Sequence, residues 1–288
     1  MFLPLFLLLS TVHGGLKQLE QQLEQRQRVV LEQLGEVHAE RHRLEQLAER
    51  HWGWPVSNAR REVHLVYPYY ESQERQHAAE LHDVLKSHLM LDQVHAVHLL
   101  VQRGTPVPWK VLHEFDAHGK ALVKVHREPV TFALMLRYAH RYLSGKFVVL
   151  ANADIEFDAS LAALHRISDD MQHTMVSLSR DDQCDPDDYV GSHDVWIFVP
   201  PVRNIAEVLL HTEFYCGGKW GWGCENRFMW EMGHRAGLES VNPCLSIRAK
   251  HRHKSRRNSP AMANDKRLNL NGKSSIAVPC TFEASGLY

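Results

Sequence analysis

Three carboxylates alternate with apolar residues at the end of a hydrophobic segment. The segment 146–154 is typical of a buried strand; Asp154 ends it, and Glu156 and Asp158 follow. Because successive side chains of an extended chain point to opposite sides, we expect the three carboxylates to share one side. Carboxylate oxygens are preferred ligands of Mg²⁺ and Mn²⁺, and a bound cation would let this acidic site accept a nucleoside diphosphate. The alternative is a solvated acidic turn.

A glycine- and tryptophan-rich segment, residues 219–223, precedes a predicted helix. Trp222 offers an apolar surface on which a sugar ring can stack, and Gly223 lets the backbone turn tightly. Glu225 stands at or near the start of the helix, where its carboxylate could act as a general base toward a hydroxyl group. It could equally stand there because the helix dipole favours a carboxylate in the first turn.

Asp194 lies in a polar triplet directly before an apolar run, residues 195–198. Its carboxylate could bind the hydroxyl groups of an acceptor or serve as the base. Alternatively, it only marks the end of a strand.

Two histidines lie in a basic segment near the end of the chain, residues 247–257. In an extended conformation His251 and His253 share one face, whereas Lys250 and Arg252 share the other. An imidazole could complete a Mn²⁺ site, and the cationic side chains could hold a diphosphate leaving group. The competing interpretation is a basic surface tail, since the chain has 21 histidines.

The elements that must position these residues alternate between strand and helix. Strands are predicted at 62–68, 94–101 and 146–154, with a helix capped by Ser72 after the first and a helix at 131–143 after the second. This order is typical of an α/β nucleotide-binding unit, in which ligands bind at the carboxyl ends of the strands. The sequence has neither a Gly-x-Gly-x-x-Gly fingerprint nor a P-loop, which argues against dinucleotide-binding and P-loop proteins.

Composition limits the classes of protein. A chain of 288 residues, 44% hydrophobic, favours one globular catalytic domain with extensions. The net charge of −1 gives no indication of nucleic acid as a partner. The five cysteines have no Cys-x-x-Cys spacing, which argues against a zinc ribbon, and their odd number leaves at least one without an intrachain disulfide.

We expect four regions along the chain. Residues 1–15 have the apolar run of a signal peptide, and residues 16–51 form a polar helix with an imperfect heptad repeat. That helix is either a coiled-coil stem through which chains form a homo-oligomer or a lone helix. Residues 56–258 form the catalytic domain, and residues 259–288 a C-terminal tail. The signal-like start predicts the lumen of the secretory pathway (Golgi or endoplasmic reticulum) or secretion, and the cytoplasm is the alternative.

Residues 62–257 resemble the GT-A class of nucleotide-sugar-dependent glycosyltransferases, and among them small algal and large-DNA-virus glycosyltransferase-like domains. The resemblance rests on these motifs: Val66-Tyr67-Pro68-Tyr69-Tyr70, Ala151-Asn152-Ala153-Asp154-Ile155-Glu156-Phe157-Asp158, His193-Asp194-Val195-Trp196-Ile197-Phe198, Gly223-Cys224-Glu225-Asn226-Arg227-Phe228, Asn242-Pro243 and His251-Arg252-His253-Lys254-Ser255. It implies a Rossmann-like three-layer α/β/α sandwich, preceded here by the long N-terminal helix.

The resemblance also implies a metal-dependent, hexosyltransferase-like enzyme. With Mn²⁺ or Mg²⁺ it would move a sugar from a nucleoside diphosphate to a hydroxyl group of a glycan, protein or lipid. By position, Asp154 and Glu156 fall on the Asp-x-Asp metal motif, with Glu as its last member, and Glu225 falls on the base. His251 or His253 falls on the late histidine that completes the metal site.

The expected contacts to the nucleotide sugar come from both ends of the domain. They are Tyr69, Tyr70, Arg75, Asn152, Asp154, Trp222 and Gly223. Two other functions stay open: a metal-dependent nucleotidyltransferase on a similar sheet, and a catalytically inactive sugar-binding or scaffold module.

Overall fold

The structure is a computed structural model. It describes residues 61–166, 169–187, 193–215, 224–252, 277 and 280–281. The predictions for the signal-like segment 1–15, the helical stem 16–51 and the tail from residue 259, apart from 277 and 280–281, lie outside the described residues. None of the described helices is long and apolar enough to cross a membrane.

Seven strands form one mixed sheet in the order β3-β2-β1-β4-β7-β6-β8. Their bounds are β1 Val63–Tyr69, β2 Ala96–Gln102, β3 Ala121–His126, β4 Phe147–Ala151, β6 Thr174–Leu178, β7 Val195–Phe198 and β8 Glu239–Val241. Strands β1 to β4 are parallel, β7 is antiparallel to both of its neighbours β4 and β6, and β8 is parallel to β6. Two more strands, β5 (Ile155–Phe157) and β9 (Ala249–His251), form a separate antiparallel pair.

Helices cover both faces of the sheet. The α-helices are α1 Arg75–Met90, α2 Trp109–Phe115, α3 Phe132–Tyr142, α4 Ile205–His211 and α5 Cys224–Ala236. Val66 of β1 belongs to a buried apolar cluster with residues of α3 and α5, whereas the next residue, Tyr67, lies 5.9 Å from the ring of His88 on α1. Because alternate residues of one strand pack against different helices, the predicted three-layer α/β/α sandwich is confirmed.

The helix that precedes β4 begins and ends as its sequence predicts. The Thr131 side chain accepts a hydrogen bond from the Leu134 N–H at the start of α3. Gly145 follows the helix with a φ of 75°, a conformation that side chains other than glycine rarely adopt. The chain can therefore reverse directly into β4.

The predicted continuation of β4 through Asp154 is wrong. The strand ends at Ala151, and a turn in which the Ile155 N–H donates to the Asn152 carbonyl leads into β5. Strand β5 then pairs with β9 instead of extending the main sheet. The third carboxylate, Asp158, accepts a hydrogen bond from the Ser160 N–H. Asp158 therefore stabilises a turn, as the alternative interpretation of an acidic turn predicted for this segment.

Two further features differ from the sequence prediction. The sequence predicts no strand at β3, an edge strand whose residues are all half-buried or exposed and include Lys124 and His126. Helix α1 has Glu74, not Ser72, as its N-cap, and the Ser72 hydroxyl instead accepts the Glu74 N–H at 3.2 Å.

Candidate functional site

Polar residues from three strands meet at one edge of the main sheet. Asn152 follows β4, Arg180 lies just after β6, and Asp194 directly precedes β7. Because β7 is antiparallel to both β4 and β6, its start lies beside the carboxyl ends of the other two. This is the edge at which α/β sheets bind their ligands.

Asp194 is fixed by partners on both carboxylate oxygens. The Asn152 Nδ2 donates to Oδ1 over 3.1 Å, and the Arg180 Nε lies 3.5 Å from Oδ2. The Asp194 N–H donates to the Leu178 carbonyl, which ties the residue to the end of β6. Asp194 is only 7% exposed, so its geometry is set by these contacts.

The structure brings Asp154 and His251 together. The Nε2 atom of His251 lies 3.1 Å from Oδ2 of Asp154, and the backbone N–H of Arg252 donates to the Asp154 carbonyl. This contact depends on the β5–β9 pair, in which Ile155 lies opposite His251. On the other side of the ring, Nδ1 accepts from the Arg180 guanidinium at 3.4 Å, which leaves the ring proton on Nε2, facing the carboxylate.

The oxygen and nitrogen of this pair fit a divalent cation. Metal–ligand bonds of about 2.1 Å place adjacent octahedral ligands about 3 Å apart, close to the observed separation of Asp154 and His251. A cation bound at Nε2 would move the ring proton to Nδ1, so the contact with Arg180 would have to open. Carboxylate and imidazole are a donor set that suits Mn²⁺.

Glu156 has a different partner. Its Oε2 atom accepts from Nε of Arg252 at 2.6 Å, and this hydrogen bond raises the pKa of the Arg252 guanidinium. Glu156 lies opposite Lys250 in the β5–β9 pair, so positive charge surrounds it. Its role as a metal ligand stays a prediction, and it requires Arg252 to move aside.

The residues after β1 reach the same edge of the sheet, because β1 is parallel to β4. Tyr69 is buried and its hydroxyl donates to Glu71 over 2.8 Å, and burial raises the pKa of that hydroxyl. Tyr70 is 40% exposed, with its hydroxyl 2.8 Å from His77 Nε2. Arg75, the first residue of α1, is exposed. Tyr70 and Arg75 therefore offer accessible surface for a nucleotide, whereas Tyr69 offers little.

Glu225 lies in the first turn of α5 and is half-buried. Its neighbour Asn226 connects the helix to the Asp194 segment, since its Oδ1 lies 3.2 Å from Nδ1 of His193. His193 is fully buried, and desolvation lowers its pKa. Its Nε2 atom lies 3.2 Å from the Ala277 carbonyl and 3.3 Å from the Ala277 nitrogen. Trp222, Gly223 and His253 lie outside the described residues.

Arg180 is the residue of this site that the sequence did not reveal. It contacts both His251 and Asp194, and it also lies 3.5 Å from Asp182. The signal that could have found it is its position directly after an apolar strand, the same rule that identified Asp154.

A disulfide and two hydrogen bonds of Asn242 hold together the segments that carry Arg180 and His251. A disulfide joins Cys184 to Cys244. The fully buried Asn242 accepts the Ser179 N–H at 3.0 Å and donates to the Ser179 hydroxyl at 2.7 Å. The end of β6 and the chain that leads into β9 are therefore fixed to each other next to the site.

No protein-family model matches the chain, and a comparison with curated proteins finds no match. Solved structures do resemble its fold. A mannosyltransferase from Pyrobaculum calidifontis in complex with GDP-Man and Mn²⁺ is 16% identical with a TM-score of 0.44, over 69% of this chain and 61% of that one. TarS 1–349 from S. aureus is 11% identical with a TM-score of 0.43, over 62% and 58%.

A third similar structure is glucosyl-3-phosphoglycerate synthase from Mycobacterium tuberculosis in complex with phosphoglyceric acid. It is 15% identical with a TM-score of 0.42, over 70% of this chain and 74% of that one. The chain thus spans about 60% of the first two structures. At these identities and TM-scores, the likenesses carry no argument about activity, which depends on the site itself.

Proposed function

We propose that this protein is a glycosyltransferase that uses a nucleoside-diphosphate sugar together with Mn²⁺ or Mg²⁺. The observation that carries the proposal is the meeting of Asp154, His251 and Arg180 at the ligand-binding edge of an α/β sheet. An anionic group, an imidazole and a guanidinium at that edge suit a cation and the diphosphate that accompanies it. Asp154 and His251 also belong to the motifs that resemble GT-A enzymes.

Each residue of the site has a proposed task in donor binding. Asp154 and His251 hold the cation, which supplies the positive charge that stabilises the diphosphate as a leaving group. Arg180 and Arg252 face the same region and can donate to phosphate oxygens. Tyr70 provides an exposed ring against which the nucleotide base can lie.

Glu225 is the better candidate for the base that deprotonates the acceptor hydroxyl. Both carboxylate oxygens of Asp194 already bind Asn152 and Arg180, so we assign Asp194 to positioning these residues and the acceptor. Glu225 is half-buried at the start of α5, a helix end held beside Asp194 through Asn226 and His193. This assignment corresponds to an inverting transfer.

The acceptor is a hydroxyl group of a glycan, protein or lipid, and we propose that the enzyme works in the secretory pathway. The Cys184–Cys244 disulfide supports that location, because disulfides persist in oxidising compartments. Pairing of chains through residues 16–51 stays part of the proposal, and sedimentation with and without that segment tests it.

The function is tested by incubating the full chain with a panel of UDP- and GDP-sugars and Mn²⁺ while measuring nucleoside diphosphate release and thermal stability. We expect at least one donor to be hydrolysed or to stabilise the wild type, and Asp154→Asn and His251→Ala to lose the effect. His113→Ala, which alters an exposed histidine on α2, is the matched control.

Turnover of nucleoside triphosphates without sugar release would establish the nucleotidyltransferase instead. Sugar binding that survives Asp154→Asn would establish the inactive module.

A further inference from the structure

A second cluster of metal-ligating side chains lies at the amino ends of β1 and β2, away from the carboxyl ends that carry the Asp154 site. Glu62 directly precedes β1, His64 is the second residue of that strand, and His95 directly precedes β2. Among the described residues, this is the only group of at least three His, Cys, Asp or Glu whose ligand atoms all lie within 4.8 Å of one another. Tyr69 lies five residue steps beyond His64 on β1, about 16 Å along the strand, so the cluster is distinct from the Asp154 site.

Two separations in this cluster are close to those around tetrahedral zinc. His64 Nε2 lies 3.3 Å from Oε2 of Glu62, and His95 Nε2 lies 3.7 Å from the same oxygen. Zinc bonds of about 2.0–2.1 Å at tetrahedral angles place ligand atoms about 3.3 Å apart. A cavity of about 520 Å³ opens on Glu62 and His95, which gives a cation and a water ligand access.

His64 also has the outer partner that a zinc-bound histidine needs. Its Nδ1 lies 2.9 Å from Nε2 of His98, and Nδ1 of His98 lies 2.8 Å from the Tyr138 hydroxyl. When each ring carries its proton on Nδ1, His64 donates to His98, His98 donates to Tyr138, and the lone pair of His64 Nε2 faces Glu62. Such an outer hydrogen bond fixes the tautomer and orientation of metal-binding histidines.

Lys146 competes for the carboxylate of this cluster. Its Nζ donates to Oε2 of Glu62 over 2.5 Å, and this bond is the main cause that lowers the pKa of Glu62. With Lys146 in place, the opposite tautomer of the histidine chain also satisfies every group, because His64 Nε2–H then donates to Glu62. A metal ion at Glu62 would therefore have to displace the Lys146 ammonium group.

We propose that Glu62, His64 and His95 bind Zn²⁺ and so link the amino ends of β1 and β2. Backbone hydrogen bonds already join this region, since the His95 N–H donates to the Val63 carbonyl and the Phe147 N–H to the Glu62 carbonyl. The ion would add a side-chain link to that framework. Its role is structural, and it does not depend on the proposed sugar transfer.

The test uses Co²⁺ as a spectroscopic substitute for Zn²⁺ in the full chain, because tetrahedral Co²⁺ absorbs strongly in the visible range. We compare the wild type with His95→Ala, whose parent side chain is 54% exposed, so the change leaves the fold intact. His113→Ala on α2 is the matched surface control, and Asp154→Asn removes the other candidate metal site. Zinc affinity is measured by competition with a chromophoric chelator.

We expect the wild type, His113→Ala and Asp154→Asn to give the tetrahedral band, and His95→Ala to lose it. Loss of a direct ligand should weaken zinc binding by at least the roughly 10- to 100-fold typical of outer partners. Lys146→Met should bind zinc more tightly than the wild type. No band in the wild type, or an unchanged affinity in His95→Ala, overturns the proposal. Equal affinity in Lys146→Met removes Glu62 from the site and overturns it as well.

Discussion

Nε2 of His251 lies 3.1 Å from Oδ2 of Asp154, although the two residues belong to segments almost a hundred residues apart. Asp154 is buried, and His251 is placed beside it by the pairing of β5 with β9. The contact joins the acidic motif to the late histidine, so these two side chains are the best-supported ligands of the proposed cation.

We predict that His251→Ala weakens Mn²⁺ binding by about 10- to 100-fold. The substitution removes one ligand, whereas Asp154 still contacts the cation and Arg180 stays in place to bind the donor. Titration of Mn²⁺, followed by thermal shift in the presence of the best donor, measures the affinity. His113→Ala should behave as the wild type does, and an unchanged affinity in His251→Ala would exclude this histidine from the site.

We predict that Arg252→Gln changes the free energy of unfolding little but weakens donor binding. The Glu156–Arg252 pair is partly exposed, with side chains 20% and 36% accessible, and ion pairs of this kind contribute about 0–1 kcal/mol. Chemical denaturation gives the stability, and the KM for the donor gives the binding. Arg137→Gln, which breaks the exposed pair with Glu213, is the control. Equal effects of both variants on KM would show that Arg252 has no special role.

We predict that stability falls as the pH drops from about 6.5 toward 4. Burial lowers the pKa of His88 to about 3 and that of His140 to about 4. The unfolded chain therefore binds protons that the folded chain does not. The stability is fully present above the unfolded pKa of about 6.5 and is lost as the pH falls toward the folded values, by about 1.4 kcal/mol per pH unit for each histidine.

The pH dependence is measured by urea unfolding between pH 7.5 and 4.5. His140→Gln keeps an acceptor for the Val202 N–H but cannot titrate, so its stability should depend less steeply on pH. His113→Gln should leave the slope unchanged. Protonation of His88 also places a positive ring against the Phe157 N–H, so β5 should loosen in the same range. Identical slopes in all three proteins would contradict the assignment.

We predict that Glu231→Ala destabilises the protein by about 3–5 kcal/mol. The Glu231 side chain has no exposed surface and is paired with Arg227 and Arg235, one helical turn before and after it on α5. Removing the carboxylate leaves two partly buried guanidinium groups without a counter-charge. Urea denaturation measures the change. Glu207→Gln, at the exposed end of the network, should cost less than about 1 kcal/mol, and a small effect of Glu231→Ala would contradict a structural role for the buried pair.

Local patterns in the sequence predicted much of the sheet and part of the site. Strands β4 and β7 are continuous apolar runs, and α5 carries Phe228 and Met232 on its buried face, so these patterns are visible without a structure. The contact between Asp154 and His251 was expected only from the resemblance to GT-A enzymes. No local pattern in the sequence connects two segments so far apart.

The features that the sequence analysis missed, β3, Arg180 and the end of β4, depend on contacts between distant segments or on exposure to solvent. Strand β3 lies at the sheet edge and none of its residues is buried, so it lacks the long apolar run of the central strands. Arg180 is one of many cations in the sequence; its position after an apolar strand is a weak signal, and the arrangement of β6 beside β7 is what places it against Asp194. The end of β4 at Ala151 depends on β5 finding a partner in β9, which lies far along the chain.

The two strands of the β5–β9 pair are synthesised at different times, because β9 follows the last strand of the main sheet along the chain. The last strand of the main sheet, β8, ends at Val241, whereas the partner of β5 begins only at Ala249. The seven strands of the main sheet are therefore all synthesised before the imidazole that contacts Asp154. Any cation affinity that depends on His251, and any donor use that depends on that cation, would therefore arise only after all seven strands of the main sheet have been synthesised.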